Sequence, residues 1–182
     1  MKVKAVEREN KTNQGAFTLR ELLQSLLVAL FLVVIIKTFI VQLFWIPSRS
    51  MEPILLINDR IIVTKFSYWY EEPQRGDIIV FRFPKDTSKH LVKRVIGMGG
   101  EIISIRNNQV YINGKLLDEP YINNEKYQDF GPVVVPDGHY FVLGDNRDSS
   151  EDSRSWGYVP ARLVVGKAQY RYWPLSRVGK IY

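Results

Sequence analysis

Ser48 and Ser50 stand in a stretch bounded by proline, Pro47-Ser48-Arg49-Ser50-Met51-Glu52-Pro53. The two prolines restrict φ and hold the segment off helix and off a central strand. A serine hydroxyl on such a rigid elbow can act as a nucleophile if a base takes its proton. Taken alone, the stretch is an ordinary proline-rich linker. Lys93 stands in Leu91-Val92-Lys93-Arg94-Val95-Ile96-Gly97. On a strand, side chains alternate, so Lys93 shares a face with Leu91 and Val95, and Arg94 shares the other with Val92 and Ile96. Apolar flanks strip hydration from an ammonium, lower its pKa and let the amine act as a base. Taken alone, a lysine that guards a strand edge against aggregation is the commoner case.

A third stretch, Gly144-Asp145-Asn146-Arg147-Asp148-Ser149-Ser150-Glu151-Asp152-Ser153-Arg154, alternates acids, arginines and serines. It fails as a calcium loop. Arg147 falls among the would-be ligands, and Ser150 takes the position, counted from Asp145, that requires glycine. Opposite charges at this density suit an internally bonded loop that fixes a nearby strand end. Arg75-Gly76-Asp77-Ile78-Ile79-Val80-Phe81 reads as a turn entering a buried strand. The chain has no cysteine, which excludes a disulfide scaffold, a thiolate zinc site and a cysteine nucleophile. His90 and His139 are its 2 histidines. A histidine-rich metal centre is not expected, and a Ser-His-Asp triad would need one of the two. No Gly-x-Ser-x-Gly elbow surrounds any serine.

These residues need a scaffold. Residues 1–17 are polar and are expected to be a disordered cytoplasmic tail. Thr18 followed by Glu21 has capping-box spacing, a helix start. Leu22 to Ile46 is almost wholly apolar, and residues 18–46 are expected to form one transmembrane signal-anchor helix. A helix from Leu22 to Trp45 would be about 36 Å long, against about 30 Å of hydrocarbon. A cleavable signal peptide has a shorter apolar core. Phe44 and Trp45 fall where an aromatic belt is expected, and the basic residues before the span keep the N-terminus in the cytoplasm. Lys37 is costly at that depth, so either the span is shifted or residues 38–46 lie in the interface. The net charge of +6 then points to a membrane surface and not to nucleic acid. After Pro47, short β-rich runs dominate: Arg60–Lys65, Asp77–Phe83, Leu91–Ile96, Glu101–Arg106, Gln109–Ile112, Tyr140–Leu143 and Leu163–Trp173. Asn113-Gly114 is a hairpin signal, because a type I′ turn needs positive φ. Asn107-Asn108 reads as a second turn, and Asp118–Pro136 as a surface loop. The expected architecture is an all-β catalytic domain of antiparallel sheets, residues 47–182, preceded by one N-terminal transmembrane helix.

In combination the stretches are specific. Pro-Ser-x-Ser-Met-x-Pro, Arg-Gly-Asp-Ile, Lys-Arg-x-Ile-Gly and Gly-Asp-Asn-Arg-Asp-x-Ser-x-Asp-Ser-Arg, in this order behind one anchor, resemble the bacterial type I signal peptidases (leader peptidases). The resemblance runs from the anchor through Pro160 and is to the compact, single-anchor members typical of Gram-positive bacteria. It implies an outward-facing serine endopeptidase of the cell membrane. Such an enzyme cuts signal peptides from exported preproteins at Ala-x-Ala-type sites with a Ser-Lys dyad, without metal or cofactor. By that resemblance Ser50 is the nucleophile and Lys93 the general base. Ser48 and the Ser50 N–H form the oxyanion hole, and Ser150 orients the lysine. Asp152 and Arg154 form an ion pair near the site, and Asp145 and Arg147 support the loop. Ile46, Leu55, Leu91 and Val92 line shallow substrate pockets. The chain departs from the pattern at Ile54, where threonine is usual, and at Met98-Gly99-Gly100-Glu101, which replaces a Leu-Pro-Gly-Asp turn. A self-cleaving Ser-Lys repressor would need a DNA-binding domain and no anchor. A non-catalytic, membrane-anchored β-domain scaffold is the rival from another class, and the intact Ser50 and Lys93 argue against it.

The charge asymmetry gives a topology test. Protease added to wall-stripped cells should degrade residues 47–182 and spare the N-terminal tail. Protection of the large domain would reverse the orientation.

Overall fold

The computed structural model describes residues 18–122 and 128–182, so the expected disordered tail lies outside the described residues. The chain divides into two units, one ending at Ile36 and one running from Lys37 to Tyr182. In the first, helix α1 spans Leu19–Ile35 and opens on the capping box, with reciprocal bonds between Thr18 and Glu21. None of its side chains is buried, although most are apolar, which suits a lipid surround. Together with a wider π-turn at Ile36–Ile40, the apolar helical stretch Leu19–Ile40 has 22 residues. At about 33 Å it is long enough to cross a bilayer.

The helix does not reach Trp45. Val41–Trp45 is a strand, β1, paired antiparallel with β2 (Arg60–Thr64) from Val41↔Thr64 to Trp45↔Arg60. The apolar run is continuous in sequence, but its last five residues alternate, with Leu43 and Trp45 exposed and Phe44 packed inward. That is strand periodicity. Lys65 fixes the junction: its N–H donates to the Ile40 carbonyl at 2.9 Å and its Nζ to the Thr38 carbonyl at 3.0 Å. Lys37 thus lies in the last turn of the helical stretch, where a cation suits the free carbonyls.

The remaining strands are β3 (Ile78–Phe83), β4 (Asp86–Gly97), β5 (Ile102–Arg106), β6 (Gln109–Ile112), β7 (Lys115–Leu116), β8 (Phe130–Val134), β9 (His139–Leu143), β10 (Val159–Pro160), β11 (Val164–Trp173) and β12 (Gly179–Lys180), with a single-turn helix α2 (Ser153–Trp156). A large sheet runs β1-β2-β11-β3-β4-β9-β10 with β12 beside β11, and a small one runs β7-β6-β5-β8. Every pairing is antiparallel. All seven strand expectations fall on strands, to within a few residues at the ends. The two asparagine turns close β5–β6 and β6–β7, with positive φ at Asn107, Asn108, Asn113 and Gly114. The stretch 118–136 is not a plain surface loop. Phe130–Val134 pairs with β5, because Phe130 and Val133 are needed to cover one apolar cluster.

Alternation divides the core. Ile78 and Val80 of β3 join Ile46, Met51, Leu55, Ile61 and Val63 in one cluster, while Ile79 and Phe81 join Val95, Tyr140 and Val142 in another. A third cluster, including Ile96, Ile103, Ile105, Phe141 and Leu143, ties the two sheets together.

Gly166 lies where β11 bulges between β2 and β3. A Cβ there would come within 2.5 Å of the Thr64 carbonyl oxygen. Gly166→Ala should therefore destabilise the protein by about 1–3 kcal/mol, read by thermal denaturation in detergent. An unchanged melt would mean that the bulge yields freely.

Candidate active site

The proline-bounded stretch turns back on itself after β1. Arg49 C=O accepts from Glu52 N–H and Met51 C=O from Leu55 N–H, while Met51 and Leu55 sink into the first cluster. These anchors hold Ser50 in place, 9% exposed. Lys93 comes from the middle of β4, opposite Ile79 of β3, and is 4% exposed. Its Nζ lies 2.7 Å from Ser50 Oγ. Residues 43 apart in sequence thus meet in one hydrogen bond. Ser48 Oγ is 3.3 Å from Ser50 Oγ.

Burial pulls the Lys93 ammonium down to about 8. Asp152 and Asp145 act against that shift, and Arg154 acts with it. Desolvation dominates because the strand face is apolar and the two carboxylates that oppose it most, Asp152 and Asp145, are already engaged by arginines.

The acidic stretch forms a closed network behind the serine. Asn146 N–H donates to the Ser50 carbonyl at 3.1 Å. Asp145 accepts from Arg94 Nε and Nη2, both at 2.7 Å, and the pair is fully buried. Asp152 accepts from Arg154 Nε at 2.8 Å, from Arg154 Nη2 at 2.9 Å and from Gly144 N–H at 3.1 Å. Arg147 Nε donates to the Gly144 carbonyl at 2.9 Å. Ser150 is also at the site: a Cβ on Gly144 would collide with both Ser150 Oγ and the Ser50 carbonyl. The Ser150 hydroxyl is buried and has no hydrogen-bond partner among the described residues. Its expected contact with Lys93 is not made here.

Of the four expected pocket residues, Ile46 and Leu55 are buried together, with Val92 packed against them. Leu91 lies on the opposite face of β4, against the cluster that holds Val95. His90 packs its ring 5.4 Å from Phe44, and His139 Nδ1 lies 2.9 Å from the Asp137 carbonyl.

Three features were not read from the sequence. Arg94 is the partner of Asp145; a buried arginine on a face shared with Val92 and Ile96 signals a need for an anion. Glu119 pairs with Arg147, and Tyr121 covers Arg94; both come from the stretch read as a surface loop. Glu101, which stands where the resembled family has aspartate, is fully engaged. It accepts from Met98 N–H at 2.8 Å and pairs with Arg75.

A model of the family described as signal peptidase, peptidase S26, matches residues 19–173. A probable signal peptidase I-2 of Synechocystis sp. is 46% identical over 165 residues, covering 87% of this chain and 75% of its own length. The signal peptidase I of Bacillus licheniformis is 33% identical over 183 residues, covering 94% of this chain and 98% of its own. A crystal structure of a signal peptidase I from Enterococcus faecalis is 41% identical, with a TM-score of 0.48, over 53% of this chain and 97% of that one. The chain belongs to the signal peptidase family.

A depressed lysine leaves a thermodynamic trace. Between about 8 and its ordinary 10.5, the unfolded chain holds the Lys93 proton and the folded chain does not. Lys93 therefore penalises folding fully below 8, and the penalty fades as pH rises toward 10.5. Lys93→Met should be more stable than wild type at pH 7, and the gap should narrow by on the order of 2–3 kcal/mol by pH 10. Parallel pH–stability curves for the two proteins would mean that Lys93 is not depressed.

Proposed function

We propose that this signal peptidase is a membrane-bound serine endopeptidase. It cuts N-terminal signal peptides from exported preproteins at Ala-x-Ala-type sites, with Ser50 as nucleophile and Lys93 as general base. The observation that carries this reading is the 2.7 Å approach of Lys93 Nζ to Ser50 Oγ by a buried lysine drawn down to about 8. At pH 7 such a lysine is neutral in about one molecule in ten, against about one in 2,500 for an unperturbed one.

Besides the precursor, one water molecule is consumed. Neutral Lys93 takes the Ser50 proton as Oγ bonds to the scissile carbonyl carbon. The oxyanion is held by the Ser50 N–H and the Ser48 hydroxyl. The C–N bond breaks, the Lys93 ammonium gives its proton to the leaving amine, and the mature protein departs with a free N-terminus. Neutral Lys93 then takes a proton from water, whose oxygen attacks the acyl ester; the ester C–O bond breaks, and Lys93 returns the proton to the departing Ser50 Oγ. The buried Ser150 hydroxyl, without a hydrogen-bond partner among the described residues, is left to orient the lysine during turnover. Asp145, Arg147, Asp152 and Arg154 hold the loop against which the serine is set. Ile46, Leu55 and Val92, packed together, and Leu91, on the opposite face of β4, border separate recesses for the small side chains before the cut. The anchor confines enzyme and precursor to one bilayer, which raises their effective concentration. We place it in the cell membrane with the N-terminus in the cytoplasm and the catalytic domain outside.

Detergent-solubilised protein should cleave a precursor without added metal. Its kcat/KM should rise about tenfold per pH unit up to a limb near 8 and level off above it. Ser50→Ala and Lys93→Arg should be folded and inactive, because a guanidinium keeps its proton in this range. Ser48→Ala should lose roughly 10²–10³-fold in kcat. His90→Ala and His139→Ala should keep nearly full rate. A folded, inactive histidine variant, or a limb near 10.5, would defeat the dyad.

A further inference from the structure

We propose that Glu119 and Tyr121, on the far side of the small sheet's β6–β7 hairpin, form a positioning clamp for the Ser50–Lys93 pair. The inference rests on the dyad reading above. Tyr121 lays its ring over the Arg94 guanidinium, with Arg94 Cζ 3.8 Å from the ring centroid. The Tyr121 hydroxyl donates to Glu119 Oε1 at 2.9 Å. Glu119 in turn receives Arg147, with Nη1 on Oε2 at 3.1 Å and Nη2 on Oε1. One short segment therefore holds both the arginine that follows the base and an arginine of the loop behind the serine.

The edges of Arg94 are engaged by the large-sheet unit. Nε and Nη2 bond Asp145, Nη1 donates to the Gly76 carbonyl at 2.8 Å, and Nη2 also reaches the Tyr182 carbonyl at 3.2 Å. In-plane bonds fix the guanidinium in its own plane but leave its face open, and Tyr121 covers that face. A cation is attracted to an aromatic face, the more so where water is excluded. Glu119 acts at the second arginine, whose Nε holds the Gly144 carbonyl.

Both links converge on residues 144–147. Gly144 packs directly against the Ser50 carbonyl, and Asn146 N–H donates to it. Asp145 is also one of the carboxylates that oppose the depression of Lys93. If Arg94 loosens, Asp145 is less well neutralised and water approaches, and both effects raise the Lys93 pKa. A shift of the loop also changes the Ser50–Lys93 contact, to which the rate is steeply sensitive. The bonds of Glu119 and Tyr121 run to Arg147 and Arg94 and not to the serine or the lysine, so both are positioning residues.

The test uses the full chain in detergent with a signal-peptide substrate. It compares wild type with Tyr121→Leu, Tyr121→Phe and Glu119→Gln, each normalised to folded protein by its thermal melt. Tyr121→Leu should lose on the order of 10–100-fold in kcat, with KM within about twofold, and its pH–rate limb should move above about 8. Tyr121→Phe keeps a ring over Arg94 and should recover most of the rate. Glu119→Gln keeps the volume and should show a smaller loss with the same direction of shift, which preserves the test if the leucine variant melts. A rate loss fully explained by unfolded protein, with the limb unmoved in both Tyr121→Leu and Glu119→Gln, would overturn the clamp. Wild-type kinetics in those variants would overturn it as well. A wild type without a limb near 8, or an active Ser50→Ala, would instead fell the dyad and the clamp with it.

Discussion

Read as the proposed Ser-Lys dyad, the site depends on keeping one lysine dry beside one serine. An ammonium sheds its proton readily only where its charged form is disfavoured, and an unpaired carboxylate close by works against that. Asp145 and Asp152 both lie near enough to Lys93 to oppose its depression. Each is bound by an arginine through both carboxylate oxygens, Asp145 by Arg94 and Asp152 by Arg154. The arginines thus neutralise the acids locally and let burial of the lysine decide the balance. This accounts for the charge density of the 145–154 loop. The carboxylates hold backbone and arginine, and the arginines shield the lysine from the carboxylates.

Fixing that balance is the work of the large sheet. Lys93 and Arg94 are neighbours on β4 and point to opposite faces, so one strand segment places the amine and the ion pair together. The turn that enters β3 locks this segment from the other side. Gly76 N–H donates to the Val95 carbonyl and Val95 N–H to the Asp77 carbonyl, both at 2.8 Å, while the Gly76 carbonyl receives Arg94. The Arg-Gly-Asp-Ile stretch reads as plain structure, and its structural task is to hold the strand that carries the lysine.

Much of this was legible because β-structure writes itself locally. Alternation exposed the strands, the two asparagine turns required positive φ, and the closed acid–arginine loop followed from its charges. What escaped were relations between distant segments. Val41–Trp45 continues an apolar run, and only its pairing with β2 reveals it as a strand; a window of composition cannot tell the end of a membrane helix from an apolar edge strand. Phe130–Val134 carries a glycine and a proline, weak strand formers, and is recruited by the cluster around Ile103 and Ile105. Glu119 and Tyr121 looked like loop residues because nothing in their neighbourhood names the arginines they meet, 28 and 27 positions away in opposite directions along the chain. Dyad geometry was legible only through the family resemblance. No local rule brings residues 50 and 93 together.

The same loop shows why charge density alone is a poor guide to metal binding. Its acids are spaced much as in a cation loop, yet Asp145 and Asp152 already face guanidinium groups in fixed planes. A divalent ion would have to displace Arg94 or Arg154, leaving a buried arginine unpaired, which costs several kcal/mol. Arginine offers what a metal would, a positive charge with directional partners, but it is held by the fold itself and keeps its proton across the range in which Lys93, as the proposed base, would lose one. A site whose base must titrate near neutrality is best surrounded by charges that do not. The three arginines of this network, Arg94, Arg147 and Arg154, meet that requirement where lysines in their places would compete with Lys93 for the same proton equilibrium.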